Sequence, residues 1–407
     1  MKDIIESVIT SAVKAADPYK NTRALISETV PENKSVSVIA IGKAAVPMAK
    51  AAEDELGSRI EKGLLVTKYD HSGDFSPRFF EATEAGHPFS DDNSILAAEK
   101  GLEIALSLKE DDILLVLLSG GGSALFEKSI VEDSVQKEIV TKMLSSAASI
   151  EEINAVRKRL SLVKGGRLAA AAYPARVITI ALSDVLSNDK SVIASGPTVT
   201  DNTKDSYLGG VIEKYIPDIT DDIRQIIFSR DEIKINDGGY FFAGDINMLC
   251  DAAGKKAEEL GFTVHHRDRN ITCEAGRAVQ LMLDCVEMQK GRHCYIFGGE
   301  TVVNVKGCGK GGRNQEMALT AAIILKGRSG ITFVSVGSDG TDGPTDAAGG
   351  FADGNTFETM ENNGVFPFEE LVNNNSYYAL EKSGHILKTG PTGTNVNDLM
   401  MIFTYED

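Results

Sequence analysis

Short, unbroken apolar runs alternate with stretches of helical spacing along most of the chain. Val36-Ser37-Val38-Ile39-Ala40-Ile41 is a β-branched run that stops at Gly42, and an Ala-rich helical stretch, Ala44 to Leu56, follows directly. Leu64-Leu65-Val66-Thr67 is another short run, and helical spacing returns from Asn93 to Leu108, with Ser90 as the candidate cap. Ile113 to Leu118 and Arg176 to Leu182 are continuous runs of the kind buried on both faces of a parallel sheet. Strands alternating with helices predict a doubly wound α/β sheet. Around Tyr207 to Asp237 the pattern turns helical and charged, with Pro217 and Asp237-Gly238-Gly239 as punctuation, and the domain crossing is placed there. The alternation restarts with Tyr240-Phe241-Phe242, a helix from Ile246 to Leu260 and Thr263-Val264. A helix around Ala275–Met288, strand Cys294–Phe297, a helix from Asn314 to Leu325, and strands Ile331–Val336 and Leu399–Phe403 complete it. The expectation is two α/β units, residues 1–230 and 237–407, with ligands held in a cleft at the carboxyl ends of strands. The extreme C-terminus is free, in this reading, to pack back on the first unit.

The length of 407 residues fits two or three domains. Hydrophobic residues at 42% and charged ones at 25% are the balance of a globular protein and exclude global disorder. The formal charge of −17 repels phosphate backbones and anionic lipid, so neither nucleic acid nor a membrane is expected as a partner. An anionic small substrate then requires positive charge concentrated at one site. No apolar run approaches the ~20 residues of a spanning helix, and the N-terminus mixes acids among its apolar residues, so a cytoplasmic protein is expected. Cys250, Cys273, Cys285, Cys294 and Cys308 contain no C-x-x-C pair and the histidines no H-E-x-x-H, which points to reduced thiols and against a tightly held transition metal.

The chemistry sits in small polar clusters that interrupt strong strands. Lys43 follows Gly42 at a strand-to-helix turn, where the helix dipole disfavours a cation, so its ammonium suggests a bound anion. Ser119-Gly120-Gly121-Gly122-Ser123 follows a buried strand. Consecutive glycines there let backbone N–H groups approach an anion, and the spacing is neither a Walker A loop nor a dinucleotide fingerprint. Asp184 and Asp189, after the strand ending at Leu182, are natural Mg²⁺ ligands, although an Asx turn or helix cap is the competing reading. Lys306, Lys310 and Arg313 concentrate positive charge on a flexible Gly-rich loop after Gly298-Gly299-Glu300, and an Arg grips carboxylate or phosphate with two parallel hydrogen bonds. Asp339, Asp342 and Asp346, interleaved with Gly and Thr, suit metal–nucleotide or polyol binding as well as a solvated turn. Gly390 to Asp398 is a further small polar loop. Together these parts suit phosphoryl transfer, where an enzyme mainly positions substrates and neutralises charge. A hydroxy-acid reductase would need a nicotinamide site, and the Gly42 turn lacks the second and third glycines of that fingerprint. A non-catalytic nucleotide sensor is the third class.

The same clusters, in order, resemble the class II glycerate 2-kinases, whose C-terminal part is the MOFRL domain. The resemblance rests on IGKAA at Ile41–Ala45, LLSGGGSAL at Leu117–Leu125, NAVRKRLSLVKGGRLA at Asn154–Ala169, LSDV at Leu182–Val185 and IASGPT at Ile193–Thr198. It continues through GGETVV at Gly298–Val303, GKGGRNQEMAL at Gly309–Leu319, SVGSDGTDGPTDAAG at Ser335–Gly349 and GPTGTNVNDLM at Gly390–Met400. It implies two Rossmann-like α/β domains with largely parallel sheets and the active site in the cleft between them. The implied activity is transfer of the ATP γ-phosphoryl group to the 2-hydroxyl of D-glycerate, giving 2-phosphoglycerate and ADP, with Mg²⁺ as cofactor. The alternatives are an NAD(P)-dependent hydroxypyruvate reductase and the sensor. Lys43 matches the family's catalytic lysine, Arg313 its cleft arginine and Asp184 its S-D-V aspartate, which is also the first candidate for general base. Similar proteins follow S-D-V, after one more residue, with Gly-Asp; here Ser187-Asn188 stands there, leaving Asp189 as the substitute carboxylate. Ser119, Gly120, Gly121, Gly122 and Ser123 are expected to cradle an anionic group. Arg157 and Lys164, read as two turns apart on one helix face, are expected near the glycerate carboxylate or the phosphates. Glu300, Asn314, Asp339, Thr392 and Asn395 complete the expected binding set, Mg²⁺ falls to Asp184 with Asp189 or Asp339, and a homodimer is the assembly envisaged.

Overall fold

The computed structural model describes residues 1–229 and 233–406, so the first residues of the expected crossing at 230–237 lie outside the described residues. The chain packs as two compact units. One comprises Pro18–Leu182 with Asn188–Ala243, the other Met1–Asp17, Ser183–Ser187 and Gly244–Asp407.

In the first unit, β1 (Val36–Ile41), β2 (Ile60–Lys68), β3 (Glu81–Ala85), β4 (Ile113–Leu118), β5 (Arg176–Leu182) and β6 (Asn236–Gly244) form one sheet. Its order is β3-β2-β1-β4-β5-β6, and the pairings among β1 to β5 are parallel. This is the order of a doubly wound sheet. Every residue of β1 and β4 is buried, as their continuous apolar runs require. Val36 lies opposite Ile113 and Ile41 opposite Leu118, so the two strands end level and their following turns lie side by side. β3, with the sequence Glu-Ala-Thr-Glu-Ala, carries no apolar run because it is an edge strand, and the sequence pattern missed it. The helix expected from Asn93 runs Asp92–Leu106 and is capped by Asp91 instead of Ser90: Asp91 accepts from the Ser94 N–H while Ser94 Oγ accepts from the Asp91 N–H. Four helices, Asp133–Ser145, Ile150–Arg159, Asp205–Tyr215 and Asp221–Phe228, bury a core of their own around Met143, Val156, Leu160, Ile212 and Ile227.

In the second unit, β7 (Thr263–His266), β8 (Gly291–Gly299), β9 (Ile331–Gly337), β10 (Gly349–Asp353), β11 (Ile386–Leu387) and β12 (Asp398–Glu406) form a sheet ordered β11-β10-β9-β12-β8-β7. The β7–β8 pair is parallel and the other four pairings are antiparallel, so the parallel expectation holds for the first sheet and not for this one. Two of the four come from β12, which inserts between β8 and β9 and runs against both, and two from β10, which runs against β9 and β11. β12 is therefore a central strand of the second unit's sheet. Asp398 lies opposite both Gly299 and Gly337, which brings the end of β8, the end of β9 and the start of β12 to one edge. The N-terminal helix Lys2–Ala15 buries Ile5, Val8, Ile9 and Ala12 and packs on the helix Ile246–Glu259, so residues 1–17 also belong to this unit. Among the described residues, no helix is long and apolar enough to cross a membrane.

Candidate active site

The level ends of β1 and β4 stitch their two turns together. The Ser119 N–H donates to Ile41 O at 2.9 Å, the Lys43 N–H to Gly120 O at 2.9 Å, and the Ala44 N–H to Ser119 Oγ at 3.0 Å. Gly42 has φ +123°, and a Cβ there would stand 2.3 Å from Ser119 Oγ, so only glycine permits this approach. Gly121, at φ +86°, would place a Cβ 3.4 Å from Lys43 Cε and 3.1 Å from His87 Cδ2. The exposed Lys43 thus lies across the glycine turn, with His87 beside it. Burial lowers the His87 pKa, and the charges of Lys43, Lys68 and His71 lower it further. The Gly120 and Gly121 N–H groups donate to no acceptor among the described residues. Ser123 Oγ lies 2.8 Å from Ser195 Oγ, which lies 3.4 Å from Asn154 Oδ1.

Arg157 and Lys164 face a different partner from the one expected. The helix carrying Arg157 ends at Arg159, so Lys164 is not on it and the shared helix face does not exist. Both residues converge instead on the buried Glu127, at 3.9 and 3.6 Å. Arg157 also donates to Ser123 O at 3.0 Å and Lys164 to Phe126 O at 2.9 Å, so the pair braces the segment after the glycine turn from behind. Lys164 is 1% exposed and cannot meet a ligand. Burial lowers its pKa to about 8, with the Glu127 charge opposing and Arg157 assisting. Glu127 was not singled out in the sequence; an acid closing the apolar run Ala124-Leu125-Phe126 was its only signal.

In the second unit the edge set by β8, β9 and β12 gathers Glu300, Arg313, Asn314, Asp339, Asp342, Thr392, Asn397 and Asp398. Arg313 starts the helix Arg313–Ile324 and makes two hydrogen bonds to Asp398, at 2.5 and 3.0 Å, and an ion pair with Glu300 at 3.1 Å. Expected as an uncommitted cation, it is already held by two carboxylates. Burial pushes the Asp398 carboxyl up to about 6, with the Arg313 hydrogen bond opposing. For Arg313 burial works against the charge, but Asp398, Glu300 and Asp342 outweigh it and keep the guanidinium protonated. Asp342 caps the same helix, accepting from the Asn314 and Gln315 N–H groups at 3.1 and 2.8 Å. Asn314 Oδ1 in turn accepts from Ser335 Oγ. Asp339 Oδ1 accepts from the Thr341 N–H at 2.9 Å, and Thr392 Oγ1 donates to Ser338 O at 2.6 Å, joining the two polar loops. Asn395 Oδ1 accepts from the Asn397 N–H at 3.4 Å.

The loop bearing Lys306 and Lys310 is held, not flexible. Asn374 Oδ1 accepts from the Lys306 and Gly307 N–H groups, Asn373 Oδ1 from Cys308 and Asn375 Oδ1 from Lys310. The tract Asn373-Asn374-Asn375 was the readable signal, and it was overlooked.

Asp184 lies on the Ser183–Ser187 segment of the second unit, where Asn397 Nδ2 donates both to Asp184 O at 2.9 Å and to Glu300 Oε2 at 3.1 Å. Asp189 belongs to the first unit, and its Oδ1 accepts from the Ser191 N–H at 2.8 Å. No group of three His, Cys, Asp or Glu able to hold a metal occurs among the described residues. Asn397 Oδ1 is nevertheless a buried oxygen with no hydrogen-bond partner, fixed beside Asp184 and Glu300.

A family model described as a domain of unknown function (DUF4147) matches residues 4–227, and the MOFRL family model matches residues 293–398. The chain is 44% identical to a D-glycerate 2-kinase of Thermotoga maritima over 98% of each chain, and 36% identical to a glycerate 2-kinase of Pyrococcus horikoshii over 98% of this chain and 97% of that one. An Agrobacterium vitis protein, whose name assigns it provisionally as a hydroxypyruvate reductase, is 32% identical over 98% of this chain and 94% of its own. The crystal structure of a glycerate kinase from Thermotoga maritima superposes with a TM-score of 0.91 at 43% identity, covering 100% of this chain and 99% of that one. The glycine turns, the lysine that crosses them and this full-length likeness agree: the chain belongs to the glycerate 2-kinase family.

Proposed function

We propose that the protein transfers the γ-phosphoryl group of ATP to the 2-hydroxyl of D-glycerate, releasing 2-phosphoglycerate and ADP. The observation that carries this reading is the exposed Lys43 lying across a glycine turn whose Gly120 and Gly121 N–H groups have no acceptor. A cation over unpaired backbone donors suits a phosphate whose negative charge grows on its peripheral oxygens as the group moves. Lys43 stabilises that charge, and Ser119 and Ser123 fix the turn that presents the donors. Arg313, held by Asp398 and Glu300, keeps its guanidinium in one orientation within the second unit. Asp184 is the first candidate to take the proton of the acceptor hydroxyl.

A divalent cation suits the residues around Asp184, since Mg²⁺ prefers a few hard oxygen ligands and keeps several waters. Asp184 and Asn397 Oδ1 would hold it, with Glu300 adjacent, and it would offset charge on the nucleotide phosphates. Asn188, in the left-handed region at φ +52°, stands where similar proteins have Asp and supplies no carboxylate. The reductase reading gains nothing from the Gly42 turn, which leads to Lys43 and has no further glycine of the dinucleotide fingerprint.

The test is a product assay with purified protein, Mg-ATP and D-glycerate, resolving 2- from 3-phosphoglycerate, beside NADH with hydroxypyruvate. Formation of 2-phosphoglycerate without NADH oxidation is expected; NADH oxidation alone would reverse the assignment. Lys43→Ala is expected to lower kcat by ~10²–10⁴, and turnover near wild type would remove Lys43 from the mechanism.

A further inference from the structure

Arg157 and Lys164, the two cations expected near the glycerate carboxylate or the phosphates, both face Glu127. Between them in sequence lies Lys158, whose surroundings differ. It is 6% exposed, and its ammonium donates no hydrogen bond among the described residues. The nearest carboxylate oxygen, Asp201 Oδ1, is 3.9 Å away and already accepts from the Thr203 N–H at 3.2 Å and Thr203 Oγ1 at 2.6 Å. Asp201 Oδ2 accepts from Arg159 Nε at 2.7 Å. Asp201 is thus hydrogen-bonded by Arg159 and Thr203, and among the described residues Lys158 has a long ion pair with it at 3.9 Å and no hydrogen bond. An ammonium carries three donors, and burying it without acceptors is costly. Burial accordingly lowers its pKa, with Asp201 and Asp189 opposing.

Lys158 lines a cavity of about 430 Å³, together with Asn154, Asp189, Thr203, Lys204 and Tyr207. Asn154 is also buried; its Oδ1 accepts from Ser195 Oγ, while its Nδ2 donates to no acceptor among the described residues. The wall therefore offers an ammonium and an amide N–H2 that make no hydrogen bond among the described residues and line the cavity. The Asn154–Ser195–Ser123 chain connects it to the glycine turn. Asp189 and Glu151 on the same wall offset the charges of Lys158 and Lys204, so the lining is near neutral and suits a single carboxylate better than a polyphosphate.

Resting on the kinase reading above, we propose that this cavity is the acceptor subsite, where Lys158 and Asn154 receive the carboxylate of the small hydroxy acid. Lys158 then fixes which hydroxyl can be phosphorylated, because the carboxylate anchors one end of a three-carbon chain.

The experiment is titration calorimetry of the full-length protein with D-glycerate alone and with ADP alone, for wild type, Lys158→Met and Asn154→Asp. Lys158→Met is expected to weaken D-glycerate binding by about 10- to 100-fold, the worth of a charge-assisted hydrogen bond, and to leave ADP binding unchanged. Its unliganded melting temperature should equal or exceed that of wild type, since Met removes a buried charge that has no hydrogen bond to Asp201; a merely structural lysine would instead lower it. Asn154→Asp, isosteric and negatively charged, should abolish D-glycerate binding with ADP affinity retained, which keeps the test alive if Lys158→Met folds poorly. D-glycerate binding within about twofold of wild type in both variants would overturn the subsite. Loss of ADP binding in place of D-glycerate binding would overturn it too, and would assign the cavity to a nucleotide phosphate. Wild-type protein that binds no D-glycerate while binding ADP would overturn the kinase reading and the subsite with it.

Discussion

Lys43, Lys158 and Lys164 carry the same formal charge, and burial and partners divide their work. Lys164 is enclosed with Glu127, so removing it strands a buried carboxylate. Lys164→Met is expected to destabilise the protein by about 3–5 kcal/mol, as breaking a buried pair does, and adding Glu127→Gln should restore much of the loss. Denaturant unfolding of the two single variants and the double checks this. The pH dependence has a defined sign. Between about pH 8 and 10.5 the unfolded chain keeps the Lys164 proton and the folded chain does not, so stability rises with pH across that window. The difference between wild type and Lys164→Met should shift accordingly, and a difference independent of pH would contradict the assignment. On the role proposed for Arg313, Asp398 sets a pH dependence by the same logic. Below about pH 6 it takes a proton and its two-point hold on Arg313 loosens, so kcat should fall on the acid side with a limb near 6. Asp398→Asn should lower kcat at neutral pH and flatten that limb in a kcat–pH profile.

At the scale of elements, the second unit shows how side chains tie down loops that composition alone marks as loose. Three successive asparagines accept from four backbone N–H groups of residues 306–310, doing for this glycine-rich loop what a sheet partner does for a strand. Asn374 contributes most, since its Nδ2 also donates to Asn304 O and Glu316 Oε2. Asn374→Ala is expected to cost about 1–2 kcal/mol and to speed tryptic cleavage after Lys306 or Lys310 several-fold. Unchanged cleavage would mean that other contacts hold the loop. Asp342 does the equivalent for the helix that begins with Arg313, accepting from the Asn314 and Gln315 N–H groups. These tethers were open to reading as Asx-rich segments. Which loop each one serves was not, because the bonded residues are some 65 positions apart in the chain.

For the whole molecule, the two units are not two consecutive pieces of sequence. Helix Lys2–Ala15 buries its apolar face on the helix Ile246–Glu259, and the Ser183–Ser187 segment joins the same unit. A fragment beginning at residue 244 therefore lacks the cover for that helix. It should be insoluble or molten, with strong binding of a hydrophobic dye, and should gain order when a peptide of residues 1–17 is supplied. A fragment 244–407 that melts cooperatively on its own would disprove this dependence.

The alternation of strand and helix, the buried runs of β1, β4 and β5, and the glycine turns were determined by local sequence, because periodicity, β-branching and glycine act over a few residues. So were the residue types suited to phosphate chemistry. Edge strand β3 escaped because an edge needs no apolar run. The antiparallel sense of the second sheet came from β10 turning back along β9 and β11 and from the last strand entering between β8 and β9, the latter a pairing with no local signature. The meaning of each charge was decided only by the tertiary structure. A lysine's role depends on which carboxylate lies within about 4 Å and whether water reaches it, and chain neighbours as near as Lys158, beside Asp201, and Lys164, beside Glu127, received different answers.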